Sequence, residues 1–190
     1  PQSELGYSGT TSMTYGQSLK LDPGKVTGGN GTGAIGFSVG AADGTIVENV
    51  FTPSHAGSIS LTITKGADSA FAPASKTITI TVNPAAVPVE PTYTEITTSG
   101  KTFADVGLTF PGFTGTVEWK DANGNVMLPT DEVRVNTEYT WVFTPDNTNY
   151  APATGKLTPY VDNSLIYLPG IIGGSSKFNF HDVNRFDYYY

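Results

Sequence analysis

The chain has 190 residues, 17 acidic and 10 basic, with 2 His and no Cys, a formal net charge of −7 and a pI near 4.6. So few scattered cations offer no basic stripe to a nucleic acid. The missing Cys excludes disulfides, thiolate metal sites and Cys nucleophiles, and no apolar run approaches the ~20 residues of a membrane helix. Gly (22) and Pro (13) are plentiful and Met is scarce, which is a composition of strands and tight turns.

In chain order, weak strands are expected over Met13–Leu21, Ala34–Val39 and Thr45–Phe51. The turn Ala41-Ala42-Asp43-Gly44 is expected to join the last two as a hairpin. Ser58–Thr64 alternates strictly, with Ile59, Leu61 and Ile63 on one face. Lys76–Val82 does the same with Ile78, Ile80 and Val82. Such alternation predicts half-buried antiparallel strands. Asn83–Pro91 then carries three Pro, which cannot join a central ladder and favour a stiff extended connector.

The second half repeats the logic. Gly115–Lys120 is expected as a strand, with Val117 and Trp119 on one side and Glu118 and Lys120 on the other. Asp121–Asn125 contains Asn-Gly, a strong hairpin signal. Glu138–Thr144 places Tyr139, Trp141 and Phe143 on one face. A last strand is expected over Lys156–Val161, moved toward a sheet edge by Pro159. No amphipathic helix of useful length is expected before the tail. Phe71-Ala72-Pro73-Ala74-Ser75 parallels Tyr150-Ala151-Pro152-Ala153-Thr154, each between an alternating strand and a final one. This predicts an all-β fold of two tandem β-sandwiches. The expected boundaries are 1–86, a Pro-rich linker 87–91, 92–162, and a tail 163–190. Each sandwich has roughly 70–85 residues, a size that buries only about 60% of its chain's surface.

Several strings imitate chemistry. Gly36-Phe37-Ser38-Val39-Gly40 fits a nucleophile elbow, but Ser38 is expected in a strand with no helix after it. Gly31–Gly36 fits a dinucleotide fingerprint, but again a strand follows. Gly100-Lys101-Thr102 resembles the end of a phosphate loop, yet Glu95 stands where its first Gly belongs and no helix is expected to follow. Asp121–Asn125 with Glu132 has oxygen ligands spaced somewhat like a calcium loop, but Val126 occupies the place of the required Gly and Pro129 interrupts it. Trp119, Trp141, Tyr139 and Phe143 could form a sugar platform, and core packing explains them more simply. Glu118, Asp131, Glu132 and Glu138 read as solvated faces and turns rather than an acid–base pair. Lys20, Asn83 and Glu48 could be imagined as an isopeptide set, but alternation turns Lys20 outward between Leu19 and Leu21. No catalytic, cofactor-binding or metal residue is therefore assigned.

The segments Thr14–Leu19, Gly31–Val39, Phe51-Thr52-Pro53 with Ala56-Gly57, and Trp141–Tyr150 resemble the immunoglobulin-like repeats of Gram-positive surface proteins over roughly residues 10–162. The second unit departs by having Lys101–Asp105 in place of the Tyr-Gly-Gln opening, so its first strand is less defined. After a second linker at Leu168–Ser176, Phe178–Tyr190 looks like the opening of an S-layer homology motif, with Phe180, Asp182-Val183 and Tyr188-Tyr189 in register. That resemblance implies a cell-wall polymer as the partner of a completed anchor beyond Tyr190. The start at Pro1, without a charged-then-apolar leader, reads as a mature protein or an excised piece.

Acidic balance without Cys and short Thr-rich strands suit an extracellular bacterial protein, and the resemblance of the tail implies that it is cell-wall associated. The expected function is a non-enzymatic, monomeric spacer or adhesion module that presents other domains away from the wall. The alternative is a carbohydrate- or host-ligand-binding β-sandwich, with a host glycan or protein as partner. A hydrolase would rest on the Ser38 string alone.

Overall fold

The computed structural model describes residues 2–162 together with two short strands beyond them. The chain is all-β, built mainly of antiparallel sheets. It divides into two compact units. Unit 1 takes Pro1–Pro88 and Pro145–Pro152, and unit 2 takes Val89–Thr144 and the chain from Ala153 onward.

Unit 1 contains β1 (Gly6–Tyr7), β2 (Ser12–Thr14), β3 (Leu19–Lys20), a 3₁₀ turn (Pro23–Lys25) and β4 (Val26–Thr27). It continues with β5 (Ile35–Val39), β6 (Gly44–Val47), β7 (Val50–Pro53), β8 (Gly57–Lys65) and β9 (Ala74–Asn83). One sheet has the order β2-β9-β8-β5, a second β3-β7-β6, and β1 pairs with β4. The central ladder is β8 against β9, antiparallel from Gly57↔Val82 to Lys65↔Ala74. Their alternation does what the period of two requires. Ile59, Leu61, Ile63, Ile80 and Val82 are 0–1% exposed and pack with Leu21 and Phe51 of the other sheet's side. Each such burial is worth about 1.5–3 kcal/mol. The opposite face pairs hydroxyls across the ladder, Ser58 with Thr81, Ser60 with Thr79 and Thr62 with Thr77.

Three expectations for unit 1 are corrected. Met13–Leu21 is not one strand. Gly16, at φ +84°, turns the chain so that β2 joins one sheet and β3 the other. Such a backbone is easily reached only without a Cβ. Thr45–Phe51 is likewise two strands, because Glu48 and Asn49 both take positive φ, 49° and 63°, the backbone of a tight I′ hairpin. The turn Ala41–Gly44 is no hairpin. It carries the chain from β5 in one sheet to β6 in the other.

Unit 2 contains α1 (Phe103–Val106), β10 (Gly115–Lys120), β11 (Val126–Met127), β12 (Tyr139–Pro145) and β13 (Ala153–Leu157), with sheet order β11-β10-β12-β13. The Asn-Gly hairpin forms as expected, with Lys120 opposite Val126. Asp121 Oδ1 closes it by accepting the N–H groups of Asn123 and Asn125 at 2.9 and 2.8 Å. The core is aromatic. Phe103 packs on Trp119 and Tyr139, and Phe110 stacks on Phe143 at 4.0 Å with an interplanar angle of 13°. The last strand is corrected from Lys156–Val161 to β13. Beyond it Pro159 is fully buried, and Tyr160 forms an isolated bridge with Ile96. A helix does follow Lys101-Thr102, contrary to expectation. The Asp105 carboxylate accepts the N–H and the hydroxyl of Thr102 at 2.8 and 3.1 Å. Gly107, left-handed at φ 55°, ends the single turn.

Beyond Asp162, β14 (Ile166–Tyr167) pairs antiparallel with β15 (Lys177–Phe178). The expected linker and the rest of the S-layer-like tail lie outside the described residues. Among the described residues, no helix is long and apolar enough to cross a membrane.

Candidate functional site

The strings that imitate catalytic motifs are placed by the fold in structural roles. Ser38 is an exposed residue in the middle of β5, opposite Thr62. Gly31–Gly36 runs from a loop into the first two residues of that strand, and the loop is anchored where Asp68 Oδ2 accepts the Thr32 N–H at 2.6 Å. The N–H of Gly100 donates to Glu132 Oε1 at 2.8 Å, so a carboxylate already fills the space a phosphate would need. The same contact draws Glu132 to Gly100, while Asp121 is taken up by the hairpin turn. Lys20, Asn83 and Glu48 are all exposed. Lys20 and Asn83 stand in different sheets, so the apolar meeting an isopeptide bond needs is not made. Trp119 and Trp141 are 5% and 9% exposed and present no open platform. Among the described residues, no group of three or more His, Asp or Glu side chains is gathered to hold a metal.

Two features were not foreseen from the residues. The first is a concavity of about 460 Å³ in unit 2. It lies between α1 and the β10–β11 hairpin, with Phe103, Val117, Trp119, Val126 and Leu128 in its lining. Val126 and Leu128 are 54% and 59% exposed, an apolar rim at the sheet's edge. Glu118 is the one charged side chain in the lining. The volume falls within the lower range of small-ligand clefts.

The second is a polar cluster in unit 1. His55 Nδ1 lies 2.9 Å from the Ala56 carbonyl, and Nε2 lies 3.1 Å from Asp43 Oδ1. The Ala56 carbonyl and then the Asp43 carboxylate raise the imidazole pKa above its ordinary value. Ala56 in turn donates its N–H to Asn149 Oδ1 at 2.7 Å.

The repeat also has a chemical detail hidden in the sequence. Asp68 stands three residues before Phe71, and Oδ1 accepts the N–H groups of Ala70 and Phe71 at 2.9 and 2.8 Å. Asn147 stands three residues before Tyr150. Its Oδ1 accepts the Asn149 N–H and its carbonyl the Tyr150 N–H, both at 3.0 Å. An Asp or Asn at the same offset before both aromatic residues was the available signal, since these side chains close local turns. Comparison of the chain with family models, curated proteins and solved structures found no match.

Proposed function

We propose that the chain is a non-enzymatic spacer or adhesion module of an extracellular, cell-wall associated bacterial surface protein. One observation supports it most: the same construction is used twice. In each half an alternating strand leads to an Asp or Asn turn, an aromatic residue and Ala-Pro-Ala. A strand that pairs back antiparallel then follows, β8 with β9 and β12 with β13. Serial reuse of a stable unit extends reach without a new fold. The resemblance of both halves to immunoglobulin-like repeats supports the same reading, with a wall polymer as the partner of a downstream anchor.

A domain swap in the protein that carries this chain tests the proposal. Replacing residues 1–162 with unrelated sandwiches of equal length should leave neighbouring domains accessible to antibody on intact cells, and deletion should bury them. Unchanged accessibility on deletion would sink the idea. The second reading, a carbohydrate- or host-ligand-binding module, is favoured by the apolar concavity. Under it, Val126→Asp with Leu128→Asp abolishes adhesion, whereas a spacer tolerates the pair.

A further inference from the structure

His55 stands in the connection between β7 and β8, with its side chain 42% exposed. Its two ring nitrogens face two oxygens, the Ala56 carbonyl at 2.9 Å and Asp43 Oδ1 at 3.1 Å. A carbonyl and a carboxylate only accept hydrogen bonds, and a neutral imidazole carries a single N–H. Both contacts are hydrogen bonds only when the ring holds two protons. Removing one sets a nitrogen lone pair against an oxygen lone pair.

Ala56 is held from its other side by Asn149, to whose Oδ1 it donates its N–H at 2.7 Å within unit 1. Asn149 is seated in turn by its own carbonyl, which accepts the Ala85 N–H at 2.9 Å. Ala56 thus sits between a titrating ring and a docked side chain.

We propose that His55 is a pH-sensitive clamp: its imidazolium fixes Ala56 and, through Ala56, the Asn149 contact, and loss of the ring proton loosens both. Among the surrounding elements, the β5–β6 turn contributes Asp43, and the first residues of β8, Gly57 and Ser58, contribute no charge. The Pro145–Pro152 segment carries one carboxylate, Asp146. The pKa of His55 is raised from 6.5. A raised folded value means the stabilisation is complete below 6.5 and is lost as pH rises through that folded value.

An NMR titration of the full chain from about pH 5 to about pH 8 tests the clamp. The His55 ring should titrate with a midpoint above 6.5, told apart from His181 by its absence in His55→Gln. The Ala56 amide and the Asn149 side-chain amide should move with that same midpoint. The exchange protection of the Ala56 amide should fall about fivefold across it, the scale of one hydrogen bond. In His55→Gln those two signals should stay flat, and Asp43→Asn should lower the midpoint. A midpoint at or below the ordinary value, or Ala56 and Asn149 signals that ignore the His55 titration in the unmodified chain, overturns the proposal.

Discussion

The carboxylate of Asp68 accepts both the backbone N–H and the hydroxyl of Thr32, at 2.6 and 3.2 Å, across 36 residues of sequence. With the N–H groups of Ala70 and Phe71 it fastens the loop before β5 to the loop before β9. These donors, the Thr32 N–H foremost, push its pKa from 3.8 down to about 2. A depressed carboxylate stabilises the fold above its unfolded value and loses that contribution as pH falls through the folded one. Between about pH 5 and about pH 2 the urea midpoint of unit 1 should therefore fall. Asp68→Asn should begin with a lower midpoint at pH 5 and fall less. Parallel acid limbs in the two proteins would contradict the assignment.

The stacked pair Phe110–Phe143 anchors the core of unit 2, with Phe143 only 2% exposed. Phe143→Ala should cost about 3–5 kcal/mol through lost burial and the cavity it leaves. Both tryptophans lie in this unit, so the denaturant midpoint of tryptophan fluorescence reads the loss directly. A cost below about 1 kcal/mol would mean the site collapses freely or was never packed.

Gly155 of β13 is paired opposite Trp141, and a Cβ on it would run into the indole ring. Gly155→Val should displace Trp141 and cost about 1–3 kcal/mol by overpacking. In a Trp119→Phe background the emission of Trp141 should shift to the red. An unmoved emission maximum would show that the ring does not cover the glycine.

Glu48 and Asn49 hold left-handed backbones that cost an L-residue about 1–2 kcal/mol where the side chain has no local compensation. Replacing them by Glu48→Asn with Asn49→Gly should stabilise unit 1 by up to about 1 kcal/mol, after the entropy that glycine gives back. Asn49→Val should do the reverse. Thermal unfolding of the two variants checks the sign.

The strands whose side chains alternate were readable because burial and period coincide. Ile59, Leu61 and Ile63, like Tyr139, Trp141 and Phe143, are apolar wherever the sheet turns inward. The Asn-Gly turn was readable because its chemistry is local. Glu48-Asn49 was not, since without Gly the pair resembles an uninterrupted strand. The role of Gly16 was hidden for a different reason: periodicity cannot tell which sheet a strand joins. Asp68 and His55 act on partners far along the chain or on backbone atoms, and neither leaves a periodic trace. The concavity depends on where Val126 and Leu128 meet α1, a consequence of packing that no local pattern encodes.

Strand β2 lies at the edge of the sheet β2-β9-β8-β5 and runs in the same direction as its neighbour β9, Ser12 beside Thr81 and Thr14 beside Asn83. Tension that reaches these strands from the chain on either side of the unit pulls one forward and the other back. Their backbone bonds are then loaded in shear and must break together, whereas an antiparallel pair held at one end peels open bond by bond. In the spacer proposed above, this short parallel pairing of β2 with β9 would serve as a mechanical latch.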